Sequence, residues 1–363
     1  MTGRKRLANI ELLRVLAMVM VITLHFMRES GSLLEASALF GVPATKFLGT
    51  FLEAFCIVAV NAYVLISGYM GSEGNFKLSK VITFLLQIWF YALLIPLVLT
   101  CFSVPTLAKE QGIYGMVQYL LPIESDTYWF ASSYFFLMLF MPLLNEAVKR
   151  LEKKQLQMIL AGLLIFLCLV KSICPVALPL DKYGYDPVWF LCVYLIGAYL
   201  KKYGGGILEK RAWSVYAGSS LLLFLMTVGL WYGLRYVPGA AYYFTVPFHY
   251  NFALCLTGAI GLFYGFTKID IREGKMAELI RRGGKYSFGI YLFHEHPDLR
   301  YRWYPFLRNI LNPAGKEGTG WFFAELIFSI VVLLLAGILI EWIRDLLFTF
   351  LRKTGRSVYA ERK

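Results

Sequence analysis

Charge is scarce in this chain: only 16% of its 363 residues are Asp, Glu, Lys or Arg, and histidine occurs four times. Polar linkers, low-complexity tracts and internal repeats are also missing, which argues for one integral domain and against a modular or solenoid architecture. Six cysteines (Cys56, Cys101, Cys168, Cys174, Cys192 and Cys255) lie in or at the ends of apolar stretches without paired spacing, so they read as small buried hydrophobes, neither metal ligands nor a disulfide framework. Gly204, Gly205 and Gly206 follow Lys202 with no strand before them, which excludes a phosphate-cradling loop. His294, Glu295 and His296 are consecutive, and one helix cannot aim positions 294 and 296 at a single ion, so no metal is expected.

What the chain does have is apolar residues, 58% of the total, with a mean hydropathy of +0.60. Runs of about 20 of them recur along the whole length, the signature of an all-α integral membrane protein. Ten spans are expected, near 9–27, 47–70, 80–102, 128–146, 155–174, 187–201, 212–234, 245–267, 285–299 and 320–343. The net charge of +13 would suggest a nucleic-acid partner in a soluble protein, but most Lys and Arg fall in alternate loops and at the two ends. These include Arg4, Lys5, Arg6; Lys77, Lys80; Lys149, Arg150, Lys153, Lys154; Arg281, Arg282, Lys285; and Arg352, Lys353, Arg356. By the positive-inside rule both termini are cytoplasmic, the location is the plasma membrane, and no nucleic-acid partner is expected. Residues 1–345 would form the transmembrane domain and 346–363 a short basic tail. Arg14 interrupts the first apolar run and no small-residue cleavage site follows it, so that run reads as the first helix and not as a signal peptide.

Two polar residues in that helix carry chemistry. Arg14 and His25 are eleven residues apart, which places them about 20° apart in azimuth and roughly 16 Å apart along the axis, on one face at two depths. Glu11 stands one turn before Arg14. Ionisable groups within spans face protein or a watery cavity. They can fix helix packing; alternatively, Arg14 supplies a fixed cation for an anionic ligand and His25 a proton-transfer group near the far end. Glu29, one turn after His25, can orient the imidazole or pair with Arg28 as a solvated loop charge. The second span, AVNAYVLISGYM, contains Asn61 and ends on Ser67 and Gly68, small residues that let backbones approach. The fourth opens with Tyr128, Trp129 and Phe130, by themselves an interfacial aromatic belt.

Taken in order, these segments resemble acyltransferase family three, the polytopic membrane O-acyltransferases that modify cell-surface sugars. The Arg, ten residues, His signature is present as Arg14 and His25, preceded by Glu11; NAYVLISGY, YWF and YSFGIYLFHEHP are similar to the family's further motifs. The resemblance covers nearly the whole chain. It implies transfer of an acetyl group from acetyl-CoA, the acyl donor, to a hydroxyl of a cell-surface glycan or glycolipid. His25 would be the general base, Arg14 would bind or orient the donor, and Glu11 would hold Arg14. Candidate helpers are Glu29, His294 for acceptor binding or the thioester oxyanion, Tyr291 one turn below it, and Asn61, Ser67 and Trp129 against the substrate. Asn61 stands where the family commonly has Asp, and Lys77 and Lys80 stand where it often has clustered Arg to contact donor phosphate. Some family members carry an added esterase-like domain, which is not expected here, and a homo-oligomer is possible. The rival readings are a secondary transporter or glycan flippase, which would require internal pseudo-symmetry, and a non-catalytic envelope-assembly subunit.

Overall fold

The computed structural model describes residues 6–37, 41–174, 176–234, 236–237 and 241–361, with side chains to residue 351. Arg4, Lys5, Arg352, Lys353 and Arg356, invoked for topology, lie outside the described side chains. Every regular element among the described residues is helical. In chain order, leaving aside the single turns Ile207–Lys210, Ala241–Thr245 and Val246–Phe248, these are α1 (Ala8–Glu29), α2 (Ala44–Cys56), α3 (Ala59–Gly71), α4 (Leu78–Cys101), α5 (Leu107–Gln111), α6 (Ile113–Leu120) and α7 (Trp129–Arg150). They continue with α8 (Lys153–Ile173), α9 (Pro187–Tyr203), α10 (Ala212–Gly233), α11 (Ala253–Thr267), α12 (Lys275–His294), α13 (Trp303–Leu311) and α14 (Thr319–Glu361).

Among the described residues, eight segments are long and apolar enough to cross a membrane. Expected spans six and nine are the remaining two, and both are helices of the same bundle. α9 falls short on length, starting where Pro187 takes the first helical position and Asp186 accepts from the Val188 and Trp189 amides at 2.9 and 3.1 Å. α12 falls short on hydropathy: it begins at Lys275, so Glu278, Arg281 and Arg282 lie on the helix and not in a loop. Its far end comes at His294 and not at 299, since Pro297 cannot continue it. The last helix runs through Glu361 without a break at 345, because nothing between 343 and 354 breaks a helix.

Small residues set the tightest packing, as expected where lipid removes the hydrophobic force between helices. α3 and α9 touch backbone to backbone: a Cβ on Gly197 would fall 2.6 Å from the Leu65 carbonyl oxygen, and one on Gly68 would collide with the Tyr194 carbonyl. α1 and α12 meet in the same way, where a Cβ on Gly284 would stand 2.8 Å from the Glu11 carbonyl oxygen. α1, α3, α7 and α12 surround one space.

Two of the spans are irregular. The segment before α11 unwinds at His249–Phe252, with Tyr250, Asn251 and Phe252 all buried. Backbone of this kind survives at membrane depth only where protein satisfies it. Here Asn61 donates to the Tyr250 carbonyl at 2.7 Å, and the Tyr250 amide donates to the Tyr183 carbonyl at 3.0 Å. α8 contains a π-helical stretch, Ile165–Leu169, and Asn251 donates to its Leu167 carbonyl at 2.9 Å.

Candidate active site

A cavity of about 240 Å³ runs between α1, α3, α7 and α12. At the end nearer the N-terminus it is lined by Arg6, Arg14 and Lys285; at the other by His25, Trp129, Tyr250 and Tyr291. Tyr63, Ser67, Tyr134 and Ser287 line the length between them. The face shared by Arg14 and His25, expected from their spacing, is therefore the face that fronts the cavity.

At the basic end, Glu11 is buried and accepts from Arg14 Nη1 at 2.5 Å and from Arg6 Nη1 at 2.9 Å. Two guanidiniums against one carboxylate leave a net positive charge, and the unshared N–H groups of Arg14 are left to the cavity, with its side chain 24% exposed. Lys285, beside them, pairs with Asp345 at 2.5 Å. Tyr63 donates to the Arg14 carbonyl at 2.7 Å, tying α3 to the turn of α1 that holds the arginine. Ser67 donates to the Tyr63 carbonyl and lies 3.0 Å from the Tyr134 hydroxyl.

At the other end the hydrogen bonds define a tautomer. His294 Nδ1 lies 2.6 Å from the Ile290 carbonyl, which can only accept, so Nδ1 carries the proton and Nε2 of the neutral ring is an acceptor. His25 Nδ1 lies 3.0 Å from that Nε2 and 3.1 Å from Glu295 Oε1, and therefore donates to both. Its proton is thereby committed to Nδ1, and His25 Nε2 presents a lone pair to the cavity. Among the described residues Nε2 has no partner. Arg28 Nη2 reaches the same Glu295 oxygen at 3.4 Å.

The model of acyltransferase family three, described as an acyltransferase domain, matches residues 7–342, a stretch that holds Arg14, His25 and Glu295. The chain belongs to that family. We found no significant match among curated proteins or solved structures. The family match runs from the start of α1 into α14 and makes the protein a membrane acyltransferase.

Within this acyltransferase the other sequence-derived residues fall into three groups. Ser67, Trp129 and Tyr291 line the cavity. Glu29 takes the second of its two sequence readings, the pair with Arg28, while His294 and Asn61 are engaged in other ways than the sequence suggested. Glu29 accepts from Arg28 Nε at 2.8 Å, and the carboxylate beside His25 is Glu295. His294 is wholly buried behind His25 and faces no acceptor, because the last turn of α12 packs against the end of α1. Asn61 is also wholly buried and outside the cavity: its Nδ2 donates to the Tyr250 carbonyl and its Oδ1 accepts from Trp189 Nε1 at 2.9 Å. An ionised Asp could accept the indole proton but could not donate to the carbonyl, which accounts for the amide here. Asn61→Asp is expected to cost about 1–3 kcal/mol, read as a lower melting temperature of the detergent-purified protein.

Lys77 and Lys80 form the last group. Both are exposed at the start of α4 and neither lines the cavity. The cations that do so besides Arg14 are Arg6 and Lys285. Sequence reading missed both as site residues; the one signal available was that Lys285 directly precedes YSFGIYLFH. Glu295 was passed over in the same way, since only the fold brings α12 to His25. His25, His294 and Glu295 are also the one cluster among the described residues whose ligand atoms, within 4.8 Å of one another, could share a metal ion. The Arg28 guanidinium on the same carboxylate places a positive charge where a metal would have to sit, which favours the hydrogen-bonded arrangement.

Proposed function

We propose that this protein is a membrane O-acetyltransferase that moves an acetyl group from acetyl-CoA to a hydroxyl of a cell-envelope polysaccharide or glycolipid. The observation that carries the reading is the cavity itself, with surplus positive charge at one end and an unprotonated imidazole nitrogen at the other. Arg14, with Arg6 beside it, suits the phosphates of CoA, since guanidinium groups give charge-assisted and often bidentate hydrogen bonds. The linear pantetheine arm then lies along the cavity and brings its thioester to His25.

The acceptor hydroxyl attacks the thioester carbonyl carbon while His25 Nε2 takes its proton; a C–O bond forms, and the C–S bond breaks as the tetrahedral intermediate collapses. The imidazolium returns the proton to the departing thiolate, giving CoA as the free thiol. Glu295, accepting from Nδ1–H, stabilises the imidazolium that forms and keeps the ring in place. His294 is a second acceptor for the same proton and lies away from the acceptor.

With the N-terminus in the cytoplasm of a plasma-membrane protein, the basic end faces the CoA pool and His25 lies in the outer half of the bilayer. Donor and acceptor then meet from opposite sides. Transfer of labelled acetyl from acetyl-CoA to an envelope glycan fraction by the purified protein tests the activity, and sealed oriented vesicles test the sidedness. Acetylation only of acceptor on the CoA side would overturn the topology. Arg14→Ala is expected to raise the KM for acetyl-CoA about 10- to 100-fold, and Arg14→Lys is expected to restore only part of this. An unchanged donor KM would remove Arg14 from the donor site.

A further inference from the structure

A second cavity, of about 880 Å³, opens at the His25 end of the bundle between the start of α7 and the connection that leads into α9. Its walls include Asp126, Ser133, Lys182, Tyr183, Tyr185 and Asp186. It is separated from the first cavity by aromatic rings. Trp129 and Tyr250 line the first cavity and Tyr185 the second, and the Tyr185 ring centroid is 4.4 Å from that of Trp129 and 4.8 Å from that of Tyr250. The two spaces thus share a wall one ring thick, at the end where His25 stands.

The chemistry of the second cavity is mixed. Tyr183 and Tyr185 remain 37% and 41% exposed on its surface. The Asp126 carboxylate is exposed and makes no hydrogen bond among the described residues, and the same holds for the Lys182 ammonium. Asp186 uses Oδ1 on the first turn of α9 and keeps Oδ2. The floor is held in place. Asp181 pairs with the buried Lys171 of α8 and accepts from the Tyr183 amide and from Asn251, both at 2.8 Å. Tyrosines at a bilayer interface commonly form a belt toward lipid. These two differ in bordering a cavity that also presents an unpaired carboxylate and an unpaired ammonium.

We propose that this outer cavity is the acceptor subsite and that it takes a sugar ring without an acidic group. Flat aromatic faces beside hydroxyl-binding carboxylates suit a pyranose, whose C–H face packs on a ring while its hydroxyls donate to Asp126 and Asp186 and accept from Lys182. Two carboxylates stand against one ammonium, which disfavours an acidic residue such as a uronic acid. A sugar held there is one ring away from His25, and its hydroxyl reaches the Nε2 lone pair when the Tyr185 side chain, 41% exposed, turns aside from Trp129. The proposal rests on the acyl-transfer reading, because it is that reading that requires an acceptor near His25.

The test uses the full-length protein in nanodiscs and two variants, Asp126→Asn and Tyr185→Ala. With the envelope glycan fraction as acceptor, both variants are expected to raise the acceptor KM about tenfold while the KM for acetyl-CoA stays within twofold of wild type. Asp126 is exposed, so its isosteric replacement should fold even where the tyrosine variant does not. Independently of turnover, saturation-transfer NMR with neutral methyl hexosides is expected to give a signal for wild type that is lost in both variants, with methyl glucuronide as the charged control. Turnover with unchanged acceptor KM in both variants, or hexoside binding that survives both, would overturn the subsite. Hexoside binding lost in the variants, without any acetyl transfer by wild type, would leave the subsite standing and remove the acyltransferase role assigned to the cavities.

Discussion

Replacing His25 by Ala is expected to lower kcat by about 100- to 10,000-fold, the usual contribution of a positioned general base. The effect should fall on kcat and not on the donor KM, because Arg14 at the basic end of the cavity is roughly 16 Å away along the same helix. His25→Asn is a sharper variant: its amide nitrogen falls near the position of Nδ1 and can still donate toward Glu295 and His294, so the local packing survives, but it supplies no basic nitrogen. Loss of turnover in both variants, with unchanged acetyl-CoA binding by calorimetry, is the expected outcome. Turnover retained in the Asn variant would show that the acceptor loses its proton elsewhere.

The second large effect is expected at Glu295. Glu295→Gln keeps an acceptor oxygen near His25 Nδ1 but removes the charge that stabilises the imidazolium, and kcat should fall about 10- to 1,000-fold, less than for His25 itself. Arg28 also loses one of its two carboxylate partners in this variant and keeps Glu29, so Arg28→Ala serves as a control for simple packing damage. Glu295→Asp, which retains charge on a shorter arm, should recover part of the rate if Glu295 positions and stabilises His25. Equal loss in the Asp and Gln variants would indicate a structural role instead. Glu29→Gln, whose carboxylate pairs with Arg28 at 2.8 Å, is expected to change kcat much less.

The choice between these two glutamates shows where sequence reasoning stops. Glu29 is one turn from His25 on the same helix, so local periodicity nominates it; Glu295 is 270 residues distant in the chain, and its approach depends on where α12 stops. That stop is itself readable, since Pro297 is two residues beyond it, but the pairing of the ends of α1 and α12 is a matter of tertiary packing. The Gly284 contact with Glu11 sets the two helices at that spacing. In contrast, the shared face of Arg14 and His25 followed from helical geometry alone, and the cavity lies along it. The helical class and most spans were equally plain from hydropathy. The start of α12 was less so, because a charged first half conceals a helix from any hydropathy window.

Asn61 teaches a related lesson about departures from a family pattern. The sequence alone presents it as a missing carboxylate in a site. In the fold it is a joint between α3, the first turn of α9 and the unwound segment before α11, with one end of the amide for each partner. A lineage that exchanges Asn61 for an acid must at the same step find another donor for the Tyr250 carbonyl or rewind that segment, and either change moves the tyrosine that stands between the two cavities. Substitutions at this one buried position therefore track the shape of the wall, and relatives sorted by it would be sorted by the size of what they can admit.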